Sequence, residues 1–218
     1  MKKLENIFLY LVVLGGRAKK ANIELHDVKW VIGSRIEDTY ETLRKNWFGS
    51  PKGLHIDSYK KIKYIDGYKI NLINIEKSKI EKKKLVIKNK AKKYLWFVNI
   101  GGYSPTSMQE KHEFGLVVAW NSSDSKKIAK SKWLIGCKKK HNDDIAKLKI
   151  FGDIDDCQVI NQIDNCLIEL IPEANFCEEN NSPDWFGYLR IDKRWKSKIM
   201  QMWIYEILNT IFDYSNWN

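Results

Sequence analysis

The chain has 218 residues, 44% apolar and 12% aromatic with nine tryptophans, which excludes a disordered polymer and suits one or two packed domains. Its net charge of +11 favours acidic partners or nucleic acid, although lysine, more often a solubility residue than a recognition residue, supplies most of it. No run approaches the ~20 apolar residues of a membrane-spanning helix, so no membrane partner is expected.

The first element is an apolar run, residues 7–14, that stops at Gly15-Gly16 and reads as a strand covered on both faces. With its Met-Lys-Lys start it has the outline of a secretory signal. The same run recurs internally at Tyr94 to Gly102, where no signal acts, so the first copy is read as an inner strand that stays in the protein. A basic loop follows, 17–25, carrying Arg17, Lys19 and Lys20. Val28, Trp30 and Ile32 then mark a second strand ending at Gly33. Ser34 to Glu37 has the order of a capping box, and Ile36, Tyr40, Leu43 and Trp47 form one helical stripe behind it. Gly49 and Pro51 end the helix. Residues 47–59 read as a structured loop leading into a hairpin, Ile62 to Ile65 against Tyr68, Ile70 and Leu72, around an Asp66-Gly67 turn.

This plan occurs twice. Leu9, Val12, Gly15, Gly16, Glu24, His26 and Trp47 match Leu95, Val98, Gly101, Gly102, Glu110, His112 and Trp133 at one offset of 86. Past Trp133 the offset is read as 98, which pairs Ile70 and Leu72 with Ile168 and Leu170, places 12 extra residues around 137–152, and sets Asp153 where His55 stands. Asn121 to Asp124 supply helix-start residues for the second copy. The expected organisation is a first repeat unit over 1–76, a Lys-rich connection over 77–92, a second unit over 93–172, and a C-terminal extension over 173–218. In that extension 173–184 reads as a polar loop, and Trp185-Phe186-Gly187 echoes Trp47-Phe48-Gly49. Residues 194–214 read as a helix apolar on more than one stripe, to be covered by the units or by a second subunit in a homo-oligomer. The fold class that follows is α+β: two tandem strand-strand-helix-hairpin repeats around a pseudo-twofold, mostly antiparallel sheet, plus the C-terminal helix. The four cysteines make no Cys-x-x-Cys pair and read as free thiols of a reducing cytosol.

The stretches GGRAKKANIELHDVKWVIG, WFGSPKGLHIDSY and IDGY together resemble a bacterial family known as domain of unknown function 1543, which occurs in one or two copies per chain. The resemblance is specific over 7–72, looser over 93–172, and does not reach the last 45 or so residues. It implies a bacterial, cytoplasmic protein; no activity, cofactor or catalytic residue comes with it.

Among candidate sites, Glu24-x-His26 with its counterpart Glu110-x-His112 stands first. In extended backbone residues two apart point the same way, so Glu24 and His26 could share a proton or a metal, or the histidine could simply anchor the strand start. His55-x-Asp57 is the usual general-base pairing and follows a Pro/Gly loop, though nothing fixes a nucleophile. Chain geometry predicts that Glu24, His26 and His55 reach one first-unit cleft beside Gly15-Gly16, where Arg17, Lys19 and Lys20 could meet an anion. Tyr59, interleaved with lysines, could stack on a base or pack within the hairpin. No metal-ligand set and no cofactor are assigned. The leading expectation is a non-enzymatic binding module whose basic surface meets RNA or an acidic protein. The alternative is a small enzyme or metal-binding protein using Glu24, His26, His55 and Asp57.

Overall fold

The structure, a computed structural model, describes residues 7–75, 92–103, 106–133, 139–142, 157–173 and 182–192. The expected helix over 194–214, most of the connection over 77–92, and Asp153 lie outside the described residues. The chain divides into two compact units, Met1–Ile62 with Asn181–Asn218, and Lys63–Asn180. The regular structure described is mostly antiparallel sheet, with two α-helices among the described residues.

In the first unit β1 (Phe8–Gly16) pairs antiparallel with β2 (Leu25–Gly33) on one side and β3 (His55–Ile62) on the other. Being central explains its unbroken apolar sequence. Tyr10, Val12 and Leu14 point to a core shared with Val31, Ile36, Leu43, Trp47, Leu54 and Ile56, while Leu9 is buried on the other face. Each such side chain contributes roughly 1.5–3 kcal/mol by leaving water. A 3₁₀ turn (Ile36–Thr39) leads into α1 (Tyr40–Asn46). The capping pair forms one residue later than the sequence pattern suggests: the Arg35 backbone N–H donates to the Asp38 carboxylate at 3.0 Å. Ser34 stands just past the end of β2, where its carbonyl accepts from the Tyr10 hydroxyl at 3.5 Å.

The larger departure is β3. Residues expected as loop and hairpin arm form an eight-residue strand, and the hairpin keeps only β4 (Tyr64–Ile65) as its first arm against β5 (Tyr68–Asn74). His55-Ile56-Asp57-Ser58 is too polar to announce a strand. Pairing with β1 some 45 residues away makes it one. At the hairpin turn Asp66 and Gly67 have φ of 51° and 79°, the left-handed values a two-residue turn of this kind requires.

The second unit holds β6 (Tyr94–Tyr103), β7 (Lys111–Ala119), α2 (Ser122–Lys132), β8 (Lys139–Asn142), β9 (Cys157–Ile160), β10 (Gln162–Ile163) and β11 (Cys166–Pro172). β6 is its central strand and pairs with β7, β8 and β9. The Asn121 side chain caps α2 by accepting the Asp124 N–H at 2.9 Å, and Ala129 and Ile128 cover Val98, Ile100, Val117 and Cys157. Cys157 and Cys166 are buried free thiols.

The two hairpins share one sheet, ordered β10-β11-β5-β4. Ile70 faces Leu170, Asn71 faces Glu169 and Leu72 faces Ile168. Asn71 and Glu169 are counterparts in the repeat, so this sheet has a local twofold through them, closed by an Asn71 Nδ2 donation to Glu169 at 2.8 Å. The first repeat's hairpin therefore packs in the second unit, and the packing boundary falls at Ile62. Asp66 at its turn accepts the Val118 N–H at 2.9 Å and pairs with Lys132.

The chain then supplies β12 (Trp185–Arg190), which completes the first sheet in the order β12-β3-β1-β2. Trp185 stacks on Tyr59 at 6.0 Å, the Ile191 N–H donates to the Leu54 carbonyl at 3.0 Å, and the Arg44 guanidinium donates to the Ile191 carbonyl at 2.9 Å. Trp47 and Trp133 both stand just past their helices, as the repeat predicts, but their environments differ. Trp47 is buried over Gly16; Trp133 is half-buried over Gly115, on the second strand rather than the first.

Candidate functional site

Three strand ends meet at Gly15. The antiparallel return of the chain sets His26 directly opposite it on β2, and β3 sets His55 directly opposite it on the other side. The His55 imidazole could not lie over β1 if position 15 had a side chain. A Cβ there would stand 2.4 Å from His55 Nε2 and 2.8 Å from Asp57 Oδ2. The close approach that glycine permits is thus used by His55, and at Gly16 by the Trp47 indole.

Asp57 owes its position to an irregularity. Val13 pairs with Ser58 and Leu14 with Ile56, so Asp57 is an extra, bulged residue on β3. On the opposite edge Phe186 pairs with Ser58 and Leu189 with Ile56, which leaves Gly187 and Tyr188 across from the same residue. Bulges re-aim side chains, and here both strands bulge at one level. Gly187 takes φ 147°, and the Tyr188 ring lies on the His55 ring at 3.9 Å.

The resulting cluster is compact. Asp57 Oδ1 lies 3.1 Å from His55 Nε2, and Asp57 Oδ2 lies 3.3 Å from His26 Nε2. Glu24 Oε1 lies 3.4 Å from His55 Nε2. The His55 side chain is 1% exposed and that of His26 56%, so one carboxylate joins a buried imidazole to an exposed one. His55 Nδ1 donates to the Gly53 carbonyl at 2.8 Å, since a carbonyl can only accept. Gly53, at φ 85°, is held by the Asp192 carboxylate accepting its N–H at 3.1 Å. His55 Nε2 therefore faces two carboxylates. As imidazolium it donates to them; as neutral imidazole it presents a lone pair that takes a proton from whatever lies between. Among the described residues no three His, Cys, Asp or Glu side chains are disposed to hold a metal ion.

The other sequence candidates fall into two groups. Arg17, Lys19 and Lys20 are exposed on the loop that leaves Gly16, with Lys20 at φ 71°. Tyr59 is not brought to the histidines. It pairs with Val12 further along β1 and packs between Tyr10 and Trp185, where burial, then Glu37 and Asp184, push its hydroxyl pKa up. Sequence reasoning missed Tyr188 and Asp192, which arrive from more than 130 residues away; the Trp185-Phe186-Gly187 echo was the only hint.

It also misplaced the second copy. Ile100 pairs with Asn142 and Gly101 with His141, as Leu14 pairs with Ile56 and Gly15 with His55. The offset of 86 thus runs on through Asn142, and the extra residues lie between Asn142 and Cys157 rather than starting at 137. His141, read as part of an inserted loop, is the counterpart of His55. The signal was available: His55-x-Asp57 recurs as His141-x-Asp143.

The family model described as Domain of Unknown Function (DUF1543) matches the chain twice, over 21–72 and 107–157, spans that contain both Glu-x-His and both His-x-Asp motifs. A crystal structure of protein Il1583 from Idiomarina loihiensis is similar at 29% identity and a TM-score of 0.60, over 86% of this chain and 99% of that one. None of the curated proteins matches. No helix among the described residues is long and apolar enough to cross a membrane. The chain thus carries two matches to the DUF1543 family model, one in each repeat.

Proposed function

We propose that the first repeat carries a general acid–base site, a pair of histidines linked by Asp57 that exchanges protons with a small polar ligand at the exposed His26. The observation that carries this reading is one carboxylate within 3.3 Å of both imidazoles, one buried and one open to solvent. In the proposed roles His26 meets the ligand and Asp57 relays charge between the rings. Glu24 shares the buried His55 with Asp57, and Tyr188 and the Gly53 carbonyl orient His55. Nitrogen-resolved NMR of the imidazoles tests it. Asp57→Asn is expected to change the titration of His26 and His55 together, and ligand-detected NMR with a mixture of small polar metabolites is expected to lose its signal in His26→Ala. Independent titration of the two rings in the native protein sinks the reading.

The net charge of +11 and the exposed Arg17, Lys19 and Lys20 favour a second reading, a non-enzymatic module of the bacterial cytoplasm that holds RNA or an acidic protein. Binding of that kind weakens steeply with added salt and survives His26→Ala.

A further inference from the structure

The chain contains four histidines, and every one stands directly opposite a glycine that opens a Gly-Gly pair at the end of a central strand. In the first unit Gly15 lies between His26 and His55. In the second, Gly101 lies between His112 on β7 and His141 on β8. Chance placement of four histidines does not produce this twice, at one offset of 86 and in one register.

We propose that the second repeat carries a second proton-exchanging site, drawn from Glu110, His112 and His141 at the register position of Gly101, which takes a small polar ligand of the same class. The proposal rests on the acid–base reading of the first unit. Neighbouring strands lie about 4.8 Å apart, so two histidines flanking a central strand have Cα atoms about 9.6 Å apart. Both stand opposite Gly101, a position on the central strand with no side chain to separate them. Glu110 and His112 keep the Glu24–His26 spacing, and Glu110 Oε2 lies 3.5 Å from His112 Nε2. The His112 side chain is 44% exposed, close to the 56% of His26, so the solvent-facing member of the pair is kept.

The test uses the full chain, with the imidazole nitrogens of its four histidines assigned by NMR. His141→Gln is expected to displace the His112 imidazole resonances, just as His55→Gln displaces those of His26. Inorganic phosphate, as probe, is expected to shift His112 in the native protein and to lose that effect in His141→Gln. His141→Asn gives the same readout should the glutamine variant fail to fold. His112 resonances unmoved by either substitution overturn the second site while the first stands. If His26 is also indifferent to His55→Gln and Asp57→Asn, the first-unit reading fails as well, so the two failures are separately visible.

Discussion

The third strand of the first sheet and its counterpart in the second begin alike and then diverge at the bulge. β3 runs from His55 to Ile62 and absorbs Asp57 as an extra residue. In the second unit the same path is divided between β8, which holds the glycine end of β6, and β9, which holds the other. Between them the sequence runs through 143–156, where the first repeat has only Asp57 and Ser58. The insertion falls where the ladder was already irregular. A bulged residue makes no ladder hydrogen bond that an insertion could break, and lengthening a loop costs only about 0.6 kcal/mol per doubling. A repeat can thus gain sequence at its site without losing the register that positions the site.

The comparison can be broken most sharply at the two tryptophans. Trp47 is 7% exposed and Trp133 is half-buried. Trp47→Ala is expected to cost about 3–5 kcal/mol in urea denaturation, and Trp133→Ala no more than about half of that. Equal losses would mean that the repeats pack their helices alike despite the different glycines beneath the indoles. Next in size is Gly15→Ala, whose new Cβ would meet His55 Nε2 at 2.4 Å. The buried ring must move, at roughly 1–3 kcal/mol, and its contact with Asp57 goes with it. Unchanged stability with an unchanged His55 resonance would show that the ring does not lie over β1.

The smallest effect is confined to the first unit. Burial, followed by Glu37 and Tyr59, pushes the Tyr40 hydroxyl up to about 12 from 10.0. The folded state favours the neutral phenol, so this contribution is complete below pH 10 and is lost as the pH rises from there towards about 12. Tyr40→Phe is expected to flatten that stretch of the stability profile and to leave pH 8 unchanged. The counterpart position in the second repeat is Lys126, which has no phenol to bury. An unaltered alkaline profile in Tyr40→Phe would place the effect in Tyr10 or Tyr59, both also raised by burial.

Much of this was legible in the residues alone, because it depends on interactions short along the chain. The apolar run ending at Gly15-Gly16, the helical stripe from Ile36 to Trp47, and the left-handed turn at Asp66-Gly67 are local patterns. The return of His26 to Gly15 follows from the short loop between two antiparallel strands. The duplication is visible wherever the offset stays constant. What the residues left open was non-local. His55 to Ile62 carries no strand pattern of its own and becomes a strand only because β1 and β12 flank it. Tyr188 and Asp192 reach His55 and Gly53 from the far end of the chain. His55 could be aligned with Asp153 or with His141, since a gap can be placed on either side of a short motif. Backbone hydrogen bonding decides, because only one residue on that side can stand opposite Gly101, and that residue is His141.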